Sequence, residues 1–182
     1  MKLFCLVLAL SLVLSCAGPI KNTSPIGKVI PTIKGVSLSG EVTEIPSVKE
    51  GQQILLIGYK QRSQFDIDRW LIGLEMTGVK IKVLEVPVLG PWFPKFLRKK
   101  IDGGMKNGIP SNLWKSVVTV YDDADLIKNF LGTTNPNNAR VLLINSKSEV
   151  IAFFDNGFSA GSLREVLELI PASKRGACRD LF

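Results

Sequence analysis

The chain has 182 residues, of which 46% are hydrophobic, and this composition predicts one folded domain with an appendage rather than an intrinsically disordered protein. Its formal net charge is +7, and it contains no histidine, the commonest metal ligand and general base. Three widely separated cysteines do not suffice for a zinc or iron–sulfur site, so we expect no metal and no cofactor.

Residues 1–15 have the pattern of a signal peptide, with Lys2 followed by an apolar run that is too short to span a bilayer as a helix. The run ends in Val13-Leu14-Ser15-Cys16, which resembles the lipobox of bacterial lipoproteins. The resemblance implies cleavage before Cys16, diacylation of its thiol and anchoring to a bilayer of the bacterial cell envelope. The resemblance does not distinguish the inner from the outer membrane, or the periplasmic face from the cell surface. The alternative is an ordinary secretory signal with an incidental cysteine.

Lipidation would leave the mature chain with one thiol, Cys178, because Cys5 departs with the signal peptide. No intramolecular disulfide could then form, and we interpret Cys178 as a tail residue without a redox role. Residues 16–28 are rich in Pro, Gly, Ser and Asn and predict a lipidated tether. Residues 29–170 are predicted to form the folded domain, and residues 171–182 a polar tail.

The domain is predicted to open with a hairpin over residues 27–42 that turns at Ser39-Gly40. Its strand residues alternate at Val36, Leu38 and Val42. The following elements are predicted to be a strand, a helix, two further strands, a short helix, a hairpin and a last helix. They lie at residues 54–57, 65–77, 79–88, 117–121, 125–131, 141–154 and 163–170. The first strand–helix–strand unit predicts two parallel strands.

Residues 89–100, the aromatic–basic segment, combine aromatic rings with cations. The residues concerned are Trp92, Phe93, Phe96, Lys95, Arg98, Lys99 and Lys100. This combination is typical of a surface that docks on a membrane or on a partner protein. The alternative is that Trp92 and Phe96 cover the sheet as a small satellite core. Residues 94–101 predict one or two helical turns, followed by a Gly-rich loop. Nucleic-acid binding is disfavoured by the exported location.

The order of elements over residues 27–170 resembles the thioredoxin-like fold, an α/β three-layer sandwich with a central mixed β-sheet flanked by helices. Residues 27–40 are similar to the first hairpin of membrane-anchored thiol–disulfide oxidoreductases and peroxiredoxins. Residues 141–167 are similar to the closing hairpin and helix of that fold. The middle and end also resemble the mitochondrial ATP-synthase assembly factors of this superfamily, which lack a redox pair.

The resemblance implies two cysteine positions at the start of the first long helix, and this chain has Ser63 and Asp66 there. A thioredoxin needs an attacking thiolate and a resolving thiol at these places. The resemblance also implies a cis-proline before Val141, where Ala139 or Arg140 stands. We interpret Ser63 and Asp66 as degenerate redox positions that cap the helix; the alternative is a relic of a ligand site.

These observations favour a redox-inactive thioredoxin-like domain that binds, or helps to assemble, another envelope protein. We therefore expect no catalytic residue, and partners that include the bilayer and an envelope protein. One alternative is a thiol-dependent oxidoreductase or peroxidase that uses Cys178. Another is a structural surface lipoprotein without a dedicated ligand.

Overall fold

The computed structural model describes residues 18–47 and 51–176. The predicted signal peptide, the predicted lipidation site Cys16 and the thiol of Cys178 lie outside these residues. The end of the predicted polar tail, residues 177–182, lies outside them as well.

Seven strands form two sheets within the described residues. Their bounds are Ile33–Ser37 (β1), Val42–Ile45 (β2), Gln53–Gly58 (β3), Lys82–Pro87 (β4), Val118–Thr119 (β5), Arg140–Ile144 (β6) and Val150–Phe154 (β7). The larger sheet has the order β4-β3-β6-β7, with β3 parallel to β4 and the other pairs antiparallel. The smaller sheet, β2-β1-β5, is antiparallel. The mixed sheet and the parallel β3–β4 pair confirm the sequence predictions.

Four α-helices flank the sheets in the described chain. Their bounds are Gln64–Met76 (α1), Lys95–Gly108 (α2), Ala124–Leu131 (α3) and Ala160–Glu168 (α4). One apolar cluster joins the larger sheet to α1 and α4, and another joins it to α3 and the smaller sheet. Strand β3 contributes alternate residues to both clusters, Ile54 to the first and Leu55 to the second. Burial on both faces explains why its sequence is a continuous apolar run.

The first hairpin turns where the sequence predicts, at Gly40, whose φ is +93°. Of the alternating residues, Leu38 is buried, whereas Val36 and Val42 are 39% and 73% exposed. Ile33 and Ile45, which are paired across the hairpin and fully buried, form the inward face instead. Burying the larger isoleucine pair removes more apolar surface from water.

Helix α2 continues through Gly108, so the prediction of one or two turns and a loop is wrong. Leu97, Ile101 and Met105 recur every four residues and are half-buried, which places one stripe of the helix against the domain. The Tyr121 hydroxyl donates to Asp102 Oδ1 at 3.0 Å. These tertiary contacts offset the free-energy cost of placing glycine in a helix, which is about 1 kcal/mol per residue relative to alanine.

Helix α4 begins at Ala160, before the predicted start at Leu163, because a different serine caps it. The Ser159 hydroxyl accepts a hydrogen bond from the Ser162 backbone N–H at 3.0 Å. Ser162 is therefore inside the helix. The extended backbone of Ser159, with φ −143° and ψ 152°, is the conformation typical of a helix N-cap.

Part of the predicted tether is attached to the domain. The Ile20 N–H donates to Thr133 Oγ1 at 2.8 Å, and the Thr133 N–H donates to the Ile20 carbonyl at 2.8 Å. The Asn22 side chain accepts from the Thr134 N–H at 2.9 Å and donates to the Thr134 carbonyl at 3.1 Å. Residues 20–22 therefore lie on the loop between α3 and β6.

Candidate functional site

The turn between β3 and α1 brings Ser63 into the interior. Ser63 is 1% exposed, and its hydroxyl donates to the Lys60 carbonyl at 2.6 Å. A Cβ at Gly58 would lie 2.6 Å from Ser63 Oγ, so the strand must end in glycine for the turn to approach it. The Ser63 side chain makes no capping hydrogen bond to α1. The interpretation of Ser63 as a side-chain cap is therefore wrong, because its hydroxyl closes the preceding turn.

Asp66, predicted to stand at a degenerate redox position, is buried and joins three parts of the fold. Its Oδ2 accepts from the Ala139 N–H at 2.9 Å, and its Oδ1 accepts from the Phe158 N–H at 2.5 Å. Ala139 directly precedes β6, and Phe158 lies in the loop before α4. The position in the first turn of α1 also favours a carboxylate, because free backbone N–H groups point towards it. Asp66 therefore acts as a bracket between α1 and two loops.

Ala139 stands at one of the two places where the resemblance implies a cis-proline. Among the described residues, the cis peptide is at Ile45-Pro46, and the bond before Ala139 is trans. Proline has no backbone N–H, so it could not make the hydrogen bond that Ala139 makes to Asp66. Asp66 and Ala139 are therefore complementary, because the carboxylate accepts a hydrogen bond from a backbone N–H that proline would lack.

A buried cation, Arg140, lies beside this bracket. The guanidinium donates to the carbonyls of Thr134, Asn135 and Asn138, and its Cζ lies 4.3 Å from the centre of the Tyr59 ring. Burial lowers the pKa of Arg140. Burial also raises the pKa of the Tyr59 hydroxyl, and the nearby guanidinium opposes this shift. Sequence reasoning missed this pair; the available signal was an arginine directly before the apolar run of β6.

Lys128 on α3 lies near the same ring. Its Nζ lies 6.0 Å from the centre of the Tyr59 ring and donates to the Leu89 carbonyl at 3.2 Å. Burial lowers its pKa. The surroundings of Ser63 and Asp66 thus contain two cations and a tyrosine but no cysteine or histidine within residues 18–47 and 51–176. This set of groups can hold structure or charge.

The aromatic–basic segment presents part of its predicted surface to solvent. Trp92 and Phe96 are 72% and 71% exposed, so the alternative of a satellite core is wrong. Phe93 is half-buried, with its ring centre 3.9 Å from the nearer ring centre of Trp92 and 6.4 Å from that of Tyr121. The exposed cations of the segment are Lys95, Lys99 and Lys100.

Arg98 differs from the other cations of the segment because its guanidinium is used internally. It donates to the carbonyls of Phe93 and Pro91 at 2.8 and 3.1 Å and pairs with Asp122 at 2.8 Å. Its Cζ lies 4.6 Å from the centre of the Tyr121 ring. The hydrogen bond from Arg98 lowers the pKa of Asp122. Arg98 therefore fastens the start of α2 to the domain rather than facing a ligand.

Residues 18–47 and 51–176 contain neither a metal-binding cluster nor a membrane-spanning helix. No group of His, Cys, Asp and Glu side chains there could hold a metal ion. In the same part of the chain, no helix combines the length and the apolar character needed to cross a bilayer.

No protein-family model and no curated protein matches the chain, but solved structures do. BsSco, a member of the Sco family of cytochrome c oxidase assembly proteins, has a TM-score of 0.55 at 8% identity, covering 81% of this chain and 95% of its own. A thiol peroxidase from Chromobacterium violaceum has a TM-score of 0.53 at 11% identity, with coverages of 83% and 90%. The exposed lipoprotein thioredoxin of Streptococcus pneumoniae strain TIGR4 has a TM-score of 0.51 at 11% identity, with coverages of 77% and 100%. This likeness concerns the fold alone, and it confirms the predicted fold: the chain has a thioredoxin-like α/β domain.

Proposed function

We propose that this chain is a lipid-anchored protein of the bacterial cell envelope whose thioredoxin-like domain binds another envelope protein and does not exchange disulfides. The observation that carries the proposal is the bracket made by Asp66. At the position of the second thiol, a carboxylate accepts hydrogen bonds from the Ala139 and Phe158 backbones. A resolving thiol is thereby replaced by a group that closes the site internally.

The chemistry of the neighbouring position supports the same proposal. The Ser63 hydroxyl is buried and donates to a backbone carbonyl, so it is neither exposed nor activated by a base. Nearby, Arg140 and Tyr59 are packed on each other. Ser63 and Asp66, which stand where the resemblance implies two thiols, thus make hydrogen bonds within the fold instead.

An exposed apolar stripe on α1 is available to a protein partner. Phe65, Ile72 and Met76 are 70%, 57% and 62% exposed, and their spacing places them on one face of the helix. Phe65 directly precedes Asp66, so the stripe begins beside the degenerate redox position. Aromatic and Met side chains are enriched in protein interfaces.

The first experiment tests for thiol chemistry. We expect the purified mature protein to reduce insulin disulfides with dithiothreitol, and to consume hydrogen peroxide, only at the rate of a protein-free control. A Cys178→Ser variant should behave identically. Turnover by the native protein that disappears in Cys178→Ser would instead establish the thiol-dependent enzyme.

The second experiment tests for the protein partner. p-Benzoylphenylalanine replaces Phe65 or Ile72 in cells, and Leu126 on α3, which is 52% exposed, serves as the control position. We expect one discrete cross-linked product from positions 65 and 72 and none from position 126. If none of the three positions gives a product, the structural surface lipoprotein becomes the better account.

A further inference from the structure

The docked N-terminal residues define one end of the domain. Asn22 packs against Gly132, where an added Cβ would lie 2.5 Å from Asn22 Cα, and the φ of Gly132 is +81°. The Asn22 amide also donates to Asp155 Oδ2 at 2.5 Å. The loop after α3 is thus shaped to receive the segment, with a glycine where any side chain would collide with it. The chain enters the domain at a defined place.

The length of chain before this place is short. Ile20 follows Cys16 by four residues, and four residues span at most about 14 Å when fully extended. A lipid on Cys16 would therefore keep the bilayer surface close to Thr133, to which Ile20 is bonded. A long flexible tether would have left the orientation of the domain open.

The aromatic–basic segment lies at the same end of the domain. Strand β4 runs parallel to β3 and leads into Leu89, and antiparallel β6 begins at this end with Arg140. Lys128 on α3 donates to the Leu89 carbonyl, and α3 then ends at Gly132 beneath Asn22. A direct series of contacts thus connects the docked N-terminal residues to the start of the segment.

The exposed groups of the segment suit a bilayer surface. Trp92 and Phe96 are the amphipathic and aromatic side chains that settle at the membrane interface. Lys99 and Lys100 are exposed on the outer side of α2. The carboxylates of Asp102 and Asp122 are hydrogen-bonded to Tyr121 and Arg98. Positive charge is therefore left facing outward.

We infer that the surface formed by Trp92, Phe96, Lys95, Lys99 and Lys100 docks on the anionic headgroups of the bilayer that holds the lipid anchor. The inference rests on the anchoring in the proposed function and adds an orientation to it. A lipid surface is favoured over a protein as the occupant because the short N-terminal connection already holds this end of the domain at the bilayer. The Asp66 bracket would then lie towards the membrane, and the far end of α1 away from it.

The test uses lipidated mature protein reconstituted in phosphatidylcholine vesicles with and without phosphatidylglycerol. The chain has three tryptophans, and Trp70 is buried. Bromine on the lipid acyl chains quenches tryptophan that touches the bilayer. We expect quenching in the anionic vesicles that disappears in Trp92→Phe and persists in Trp114→Phe.

Charge variants make the test quantitative. Lys99→Gln with Lys100→Gln should lower the ratio of docked to undocked domain about 25-fold, because each lysine near an anionic leaflet contributes about fivefold. The matched control is Lys147→Gln with Lys174→Gln, since both lysines lie at the opposite end of the larger sheet, beyond the end of β6. The control should leave quenching unchanged.

Intact-mass measurement separates the two ways of failing. If Cys16 carries acyl chains but Trp92 is not quenched, the orientation is refuted and the anchor stands. A cross-link from position 92 to an envelope protein, without quenching, would assign the surface to a protein. If Cys16 carries no lipid, the anchor fails and the inferred orientation falls with it.

Discussion

Replacing Asp66 by alanine tests the bracket that joins α1 to the loops before β6 and α4. The change removes both acceptors of the Ala139 and Phe158 N–H groups, and Ala139 is 1% exposed, so water does not readily replace the lost partner. Hydrogen bonds to a charged group contribute about 1.5–3 kcal/mol each. We therefore expect the free energy of unfolding to fall by about 3–6 kcal/mol, a large part of the 5–15 kcal/mol typical of a domain.

Urea unfolding at pH 7, followed by fluorescence, measures this loss. Trp70 is a suitable probe because its ring lies 5.5 Å, centre to centre, from that of Phe158, next to the affected loop. The control is Asp68→Ala, which removes an exposed carboxylate from the same helical turn. Within the described residues, this carboxylate accepts a hydrogen bond from the Gln64 side chain. Its loss should be about 0.5 kcal/mol. A loss for Asp66→Ala no larger than that of the control would refute the bracket.

Three further changes test other parts of the structure. Arg140→Met leaves three loop carbonyls without their donor and should lower the free energy of unfolding by about 3 kcal/mol in the same urea assay. An unchanged urea midpoint would contradict the role of the guanidinium in holding the loop. Burial raises the pKa of Glu85, so the folded state loses stability relative to the unfolded chain as pH rises from about 4.3 through the folded pKa. Glu85→Gln should therefore be more stable than the native protein above this window and equally stable below it. Thermal unfolding at pH 3.5 and pH 7 measures the difference. Arg98 lowers the pKa of Asp122, so the ionised carboxylate contributes to the free energy of unfolding above about pH 3.9, and this contribution is lost as pH falls through the folded pKa. Asp122→Asn should remove this acid-dependent loss of stability. An unaltered dependence of stability on pH would contradict the pairing.

Local patterns sufficed for most of the fold. The apolar runs of β3 and β6, the helix ended by Gly132 and the closing hairpin lie close to where the sequence predicts them, since each depends on residues near in the chain. The order of these elements also sufficed for the fold class. Prediction failed in α2, where the glycines favoured a loop and contacts to Tyr121 stabilise a helix.

The candidate site was predictable in its positions but not in its contacts. The sequence identified Ser63 and Asp66 at the start of the first long helix, and it showed that neither is a thiol. It did not show that Ser63 faces the preceding turn or that Arg140 packs on Tyr59. Those contacts depend on how loops meet above the sheet, and loop side chains carry no periodic signal.

By itself, the sequence determined the composition of the site, the missing thiol pair and the order of helices and strands. The tertiary structure decided which groups these residues meet: Asp66 bonds to Ala139 and Phe158, 73 and 92 residues away. It also decided that the N-terminal segment is docked, through Ile20 and a loop 113 residues further along. The physical reason is that periodicity reports which side of an element is buried, whereas a hydrogen-bond partner distant in sequence is specified only when the chain has folded.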